Sequence, residues 1–245
     1  MGRIKHERVQ INPKDVNDFF DRRGRSVNRN HELTSILYQD SNPELAESRD
    51  RHEKQTILPL LALAPSDTVL DIGCGIGRWA DAVISHVHMY HGIDFSSSLI
   101  EYACSRLGQT PNVTFQVLAA QDVSPERIAV NTRFSLIIIS GLLIYLNDEV
   151  CEQTLANITT CCETSARIYI REPVGLESRL SLVNYYSEEL HTHYNAIYRT
   201  EAELFELFNR TILARGFKLG VRDFLYPPEM NNRPETRQMF FIFSR

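Results

Sequence analysis

The chain predicts an α/β fold: an open, mostly parallel seven-stranded sheet with helices on both faces and an antiparallel C-terminal edge strand, a Rossmann-like layering. Three observations carry this. From residue 66 onward, β-rich apolar runs alternate with helical patterns. The segment VLDIGCGIGRWA, residues 69–80, takes a strand directly into a glycine-rich turn and a helix. The last two strand-like segments are separated only by PEMNNRPETR, too short for a crossover helix, so they must pair antiparallel.

In chain order, TVLDIG is the first strand, RWADAVISHV a helix, HMYHGID the second strand, and SSSLIEYACSRLG a helix opened by serine caps. VTFQVLA, FSLIIISGL and ARIYIRE follow as strands, with NDEVCEQTLANITTCCE as the helix between the last two, capped by Asn147 or Asp148. Strands apolar on both faces and joined by crossover helices imply a parallel sheet covered on both sides. Thr200 and Glu203 form a capping-box pattern that opens TEAELFELFNRTILARGF, with Gly216 as its stop, and KLGVRDFLYP and QMFFIFSR close the sheet. Residues 1–65 are expected to form a helical N-terminal cap and substrate region, with a helix beginning near Glu44. Residues 66–245 form the core, and residues 176–200 a lid-like insertion within it.

Composition narrows the possible functions. A 245-residue chain that is 43% hydrophobic can build one sizeable core. No apolar run reaches the length of a membrane span, and MGRIKHERVQINPKD holds no apolar signal core, which predicts a cytoplasmic protein with no membrane partner. Five cysteines are an odd number and lack a CxxC spacing, so they read as reduced packing thiols, and no metal is expected. A net charge of -5 weighs against nucleic acid as the main partner.

Glycine in a strand-to-helix turn lets a ligand approach the backbone closely, with the helix amino end aimed at it. A dinucleotide fingerprint spaces its glycines G-x-G-x-x-G to seat a pyrophosphate, whereas here the order is D-I-G-C-G-I-G, with Asp71 ahead of Gly73, Gly75 and Gly77. A carboxylate there repels phosphate and attracts an ammonium. Asp94 ends the second strand, 19 residues after Gly75, where an acid can accept hydrogen bonds from both ribose hydroxyls of either a nicotinamide or an adenosyl ligand. In LAAQDV, Asp122 or the neighbouring backbone can reach an adenine amino group, and Ser140 and Gly141 lie at the lip of the same cleft.

Taken together, VLDIGCGIG, GIDFS, AAQDV and SGLLIYLND, in that order and followed by a reversed last strand, resemble the class I S-adenosylmethionine-dependent methyltransferases over residues 66–245. The resemblance implies an enzyme with S-adenosylmethionine lying across the carboxyl ends of the strands. It would place Asp71 near the methionine amino group, Gly73 and Gly75 along the turn, Asp94 at the ribose and Asp122 at the adenine, with Cys74, Phe95, Gln121 and Ser140 also among the cofactor-binding residues. Arg49, Arg51 and Arg78 are candidates for the cofactor carboxylate, and Tyr38 for a residue closing over the cofactor.

Methyl transfer from a sulfonium is an in-line displacement, so the protein must align donor and acceptor, exclude water and, where the acceptor is protonated, remove a proton. Glu172, Tyr145 and His193 are the candidates for catalysis, with Tyr194 and Tyr198 beside His191 and His193 on the lid. Arginines cluster in DRRGRSVNR and around the insertion. Arg22, Arg23, Arg171 and Arg199, with Tyr194 and Tyr198, are expected to bind a small anionic acceptor such as a nucleotide-linked sugar, a phosphorylated amine or a natural-product intermediate, at N or O. An RNA or protein methyltransferase uses the same core, but ISGL stands where an NPPY-type tetrapeptide would. A non-catalytic S-adenosylmethionine-binding protein is the other alternative, and the expected assembly is a monomer or homodimer.

Overall fold

The computed structural model describes residues 2–231 and 233–245. In chain order its elements are β1 (Arg3–Lys5), α1 (Pro13–Arg25), α2 (Thr34–Leu37), α3 (Pro43–Leu61), β2 (Thr68–Ile72), α4 (Ala80–Val83), β3 (Met89–Asp94), α5 (Ser97–Leu107), β4 (Val113–Val117), β5 (Phe134–Ser140), α6 (Asp148–Ile158), β6 (Cys162–Gly175), β7 (Leu180–Ser187), β8 (Thr192–Tyr198), α7 (Glu201–Arg210), β9 (Lys218–Phe224) and β10 (Thr236–Ser244).

Seven strands form one sheet in the order β4-β3-β2-β5-β6-β10-β9. Its first five strands pair in parallel, and β10 runs against both β6 and β9. The two C-terminal strands therefore pair antiparallel at the sheet's end, with the reversed strand one place in and β9 outermost. Alternation sorts side chains between two cores. Ile137, Ile139, Phe241 and Phe243 pack against α6 and α7, while Leu136, Ile138, Phe240 and Ile242 share the opposite core with Ile57 of α3 and Trp79.

The insertion folds as a hairpin, β7–β8, and β1 joins it to make a second, three-stranded sheet. That sheet and α1 enclose a third apolar cluster containing Phe19, Phe20, Tyr145, Tyr194 and Tyr198. Two helices are shorter than their patterns. RWADAVISHV yields four α-helical residues and a 3-10 turn, Ile84–His86, since adjacent β-branched Val83 and Ile84 propagate a helix poorly. The last helix stops at Arg210, and the chain turns through Leu213–Arg215 before Gly216 takes a left-handed φ of 86°. The capping box of Thr200 and Glu203 forms as the pattern requires. Among the described residues no helix is long and apolar enough to cross a membrane.

Candidate functional site

The site lies at the carboxyl ends of β2, β3 and β5. Gly73, Gly75 and Gly77 all have positive φ, at 74°, 55° and 75°. The amides of Gly73 and Cys74 donate to the carbonyl of Ile93 at 2.8 and 2.9 Å, folding the turn back onto β3. The Gly75 amide donates to Asp94 Oδ2 at 3.0 Å, and the Ser96 amide to Asp94 Oδ1 at 2.9 Å. The glycine turn and the second acid are thus one unit. A Cβ at Gly75 would lie 2.9 Å from Ile36 Cγ2, so the cap closes directly onto this turn.

Asp71 is buried and accepts a hydrogen bond from the Tyr90 hydroxyl at 2.6 Å. Burial pushes its carboxyl up to about 7, against that bond and Arg78, which pull it down. Burial likewise pushes Asp94 up to about 6, against the amides of Ser96 and Gly75. Both carboxyls border a cavity of about 950 Å³, counted out to its open mouth. Asp71, Gly73, Cys74, Gly75, Asp94, Phe95, Gln121 and Ser140 line it, and so does Arg78. Buried acids awaiting a positive partner, close backbone at the glycines and an apolar wall including Phe95 and Leu99 suit a ligand with an ammonium at one end and a nucleoside at the other.

A second cavity of about 970 Å³ adjoins the first, and Ile36, Leu37, Ser140, Gly141 and Tyr145 line both. Tyr38, Arg49, Arg171, Tyr194 and Tyr198 line it too. Among the described residues of its wall, four arginines, Arg49, Arg171, Arg233 and Arg237, face one carboxylate, Glu189. Tyr38 and Tyr145 meet hydroxyl to hydroxyl, as do Tyr194 and Tyr198, and Arg233 Nη1 donates to the Tyr198 hydroxyl at 3.5 Å. Burial raises the Tyr38, Tyr145 and Tyr194 hydroxyls above the ordinary phenol range, so they are neutral.

Between the cavities sits fully buried Glu53. Arg78 Nη2 approaches it at 2.8 Å and Arg171 Nε at 3.3 Å, and the hydroxyls of Ser140 and Tyr169 donate to it at 2.9 and 2.7 Å. Burial pushes this carboxyl up, but Arg171 and Arg78, with the two hydroxyls, pull it further down, to about 2.

Several expectations are corrected. Glu172 does not face an acceptor: it is 1% exposed, and its two oxygens are taken by the amides of Leu142, Leu143 and Ile144. His193 is exposed against Tyr186 on the hairpin and lines neither cavity. Arg199 is buried beside Asp148 and donates to the carbonyls of Leu143 and Leu146. Arg22 is exposed, and Arg23 pairs with Asp40 and donates to the carbonyls of Thr34 and Ser35, fastening α1 to the segment that carries Tyr38. Asp122 pairs with Arg127 at 2.6 Å, leaving Gln121 to line the first cavity. Arg49 and Tyr38 line the second cavity instead. Arg51 lines neither cavity. Sequence reasoning missed Glu53, Tyr226, Arg233 and Arg237; the pair of arginines within the turn PEMNNRPETR was the available signal.

Residues 69–165 match the family model described as a methyltransferase domain. A phosphoethanolamine N-methyltransferase of Triticum aestivum is 30% identical over 128 residues, 52% of this chain, which spans 25% of that relative's length. Among solved structures, Haemonchus contortus phosphoethanolamine N-methyltransferase 1, determined with phosphoethanolamine and S-adenosylhomocysteine, superposes with a TM-score of 0.71 at 18% identity, covering 95% of this chain and 48% of that one. A Leishmania major S-adenosylmethionine-dependent methyltransferase gives 0.67 at 15% identity, covering 94% and 85%. The chain therefore has the fold of these solved methyltransferases, and its residues 69–165 match a methyltransferase domain.

Proposed function

We propose that the chain transfers a methyl group from S-adenosylmethionine to the nitrogen of a small phosphorylated amine. The observation that carries this reading is the second cavity, taken as the acceptor side, where Arg49, Arg233 and Arg237 line the wall together with Arg171, itself held by Glu53, and which shares Ser140, Gly141 and Tyr145 with the first, cofactor-side cavity. Guanidinium groups suit a phosphate, and several of them gathered along one partly enclosed wall favour an anion. The relatives' named substrate is of this class.

S-adenosylmethionine supplies an electrophilic methyl on a sulfonium that is itself a good leaving group. Asp71 would hold its ammonium, Asp94 its ribose hydroxyls, and Phe95 with Gln121 its adenine. On the other side, Arg49, Arg233 and Arg237 would take the phosphate and leave the amine at the tyrosine end. Being neutral, the Tyr38–Tyr145 hydroxyl pair orients the amine through hydrogen bonds rather than acting as a phenolate base. The Phe19, Phe20 and Tyr194 rings around that pair keep water from the transfer line. Alignment of this kind supplies on the order of 7 to 11 kcal/mol of a bimolecular barrier.

The test is turnover with phosphoethanolamine, followed by Arg233→Ala. Loss of a charge-assisted contact to phosphate costs about 1.5 to 3 kcal/mol, so acceptor KM rises roughly 10- to 100-fold while S-adenosylhomocysteine affinity stays unchanged. Cofactor binding without turnover on any phosphorylated amine, or equal turnover of phosphorylated and unphosphorylated amines, overturns the reading.

A further inference from the structure

The wall between the two cavities is the turn that follows β5, residues 141–146, and two buried charges hold it from opposite ends. At its amide end, Glu172 Oε1 accepts from the backbone N–H groups of Leu142 and Leu143 at 2.8 and 2.7 Å, and Oε2 from that of Ile144 at 3.2 Å. At its carbonyl end, Arg199 donates through Nη1 to Leu143 O at 2.8 Å and through Nη2 to Leu146 O at 2.7 Å. The two side chains are 1% and 2% exposed, and neither lines a cavity. They come from different sheets: Glu172 lies on β6, and Arg199 directly follows β8. Arg199 is itself neutralised by Asp148, 2.9 Å from its Nε. Just past the turn, the Asn147 side chain pairs with the backbone N–H and carbonyl of Ile11 at 2.9 and 3.0 Å, tying in the N-terminal segment.

Burying an acid and a guanidinium to secure one short turn is costly, and apolar packing would stabilise the fold as well or better. What the charges add is direction. A carboxylate that collects consecutive amides and a guanidinium fork that spans two carbonyls fix the orientation of the turn, and the turn carries Tyr145. We propose that Glu172 and Arg199 are positioning residues that aim the Tyr145 hydroxyl at the line between donor and acceptor, and so set the rate of transfer without contacting either ligand. The inference rests on the proposed methyl transfer to a phosphorylated amine.

The test is a double-mutant cycle in the full chain: Arg199→Lys and Tyr145→Phe, singly and together, with Glu172→Gln as the companion at the other end. Lysine keeps the charge but cannot reach two carbonyls and Asp148 at once. With saturating S-adenosylmethionine and phosphoethanolamine, Arg199→Lys and Glu172→Gln should each lower kcat at least about tenfold, while calorimetry finds S-adenosylhomocysteine affinity within about threefold of wild type. In the Tyr145→Phe background the further effect of Arg199→Lys should shrink below about threefold. Equal losses in both backgrounds, or a loss of cofactor affinity that parallels kcat, overturn the proposal. Should the wild type fail to methylate phosphoethanolamine, the acceptor reading falls. The clamp is then judged by amide exchange: the N–H groups of Leu142, Leu143 and Ile144 should exchange at least about 100-fold faster in Glu172→Gln, and unchanged exchange refutes it. If Glu172→Gln does not fold, exchange of Tyr145 and Leu146 in Arg199→Lys is read in the same way.

Discussion

Asp71 should make cofactor binding release a proton. Its carboxyl is pushed up to about 7 by burial, and an ammonium seated beside it favours the ionised form. With a pKa of about 7, roughly one-eleventh of the protein is ionised at pH 6 and ten-elevenths at pH 8. If the ionised form is the one that binds, S-adenosylhomocysteine affinity rises about tenfold across that interval, and binding at pH 6 releases about 0.9 proton from this group. Asp94, at about 6, adds its own smaller release, so the variant is the control. Asp71→Asn keeps an oxygen that can accept from Tyr90, which protects the fold, and removes the titration. Calorimetry at pH 6, 7 and 8, in two buffers of different ionisation enthalpy, measures the protons directly. The expected difference between wild type and Asp71→Asn is about 0.9 proton at pH 6 and about 0.1 at pH 8. Identical proton release in the two proteins would refute the role given to Asp71.

Two further outcomes follow from the same geometry. Glu53 has its folded pKa lowered to about 2 from an ordinary 4.5, so it contributes stability that is complete above the unfolded value and is lost as pH falls through the interval toward 2. Of the about 3 kcal/mol this represents, about 2 should disappear between pH 5 and pH 3, a loss that Glu53→Gln, already weaker at neutral pH, should lack; parallel urea denaturation curves for both proteins would overturn it. Gly75→Ala places a Cβ at a φ of 55° and 2.9 Å from Ile36 Cγ2. It should cost about 1 to 2 kcal/mol of stability by denaturation and weaken S-adenosylhomocysteine at least about tenfold; unchanged affinity would mean that the turn and the cap segment need not touch.

The contrast between Asp71 and Glu172 shows where sequence reading reaches and where it stops. Asp71 was legible because strand, acid and glycine turn are contiguous, so local geometry alone decides what the acid borders. Glu172 also lies toward the carboxyl end of a strand at the cleft, yet it turns inward to amides that lie about 30 residues earlier in the chain. Arg199 and Arg23 read as ligand-binding guanidiniums for the same reason that they serve as buried fasteners: a planar fork suits a carboxylate, a phosphate or a pair of carbonyls equally well. Tyr194 and Tyr198 read as one polar aromatic group on the insertion and Tyr145 as a separate candidate, and only the fold brings the three together.

By itself the sequence determined the seven-stranded sheet, its reversed C-terminal strand and the cofactor-side loops, since periodicity, capping and turn chemistry act over a few residues. Only the tertiary structure decided the acceptor side. Its wall combines Tyr38 and Arg49 from the N-terminal segment, Arg171 from β6, the hairpin tyrosines, Arg233 from the final turn and Arg237 from β10, segments nearly 200 residues apart. No local pattern records such a meeting, because long-range packing, which buries some charges against backbone and turns others into the cavity, selects among chemically identical arginines.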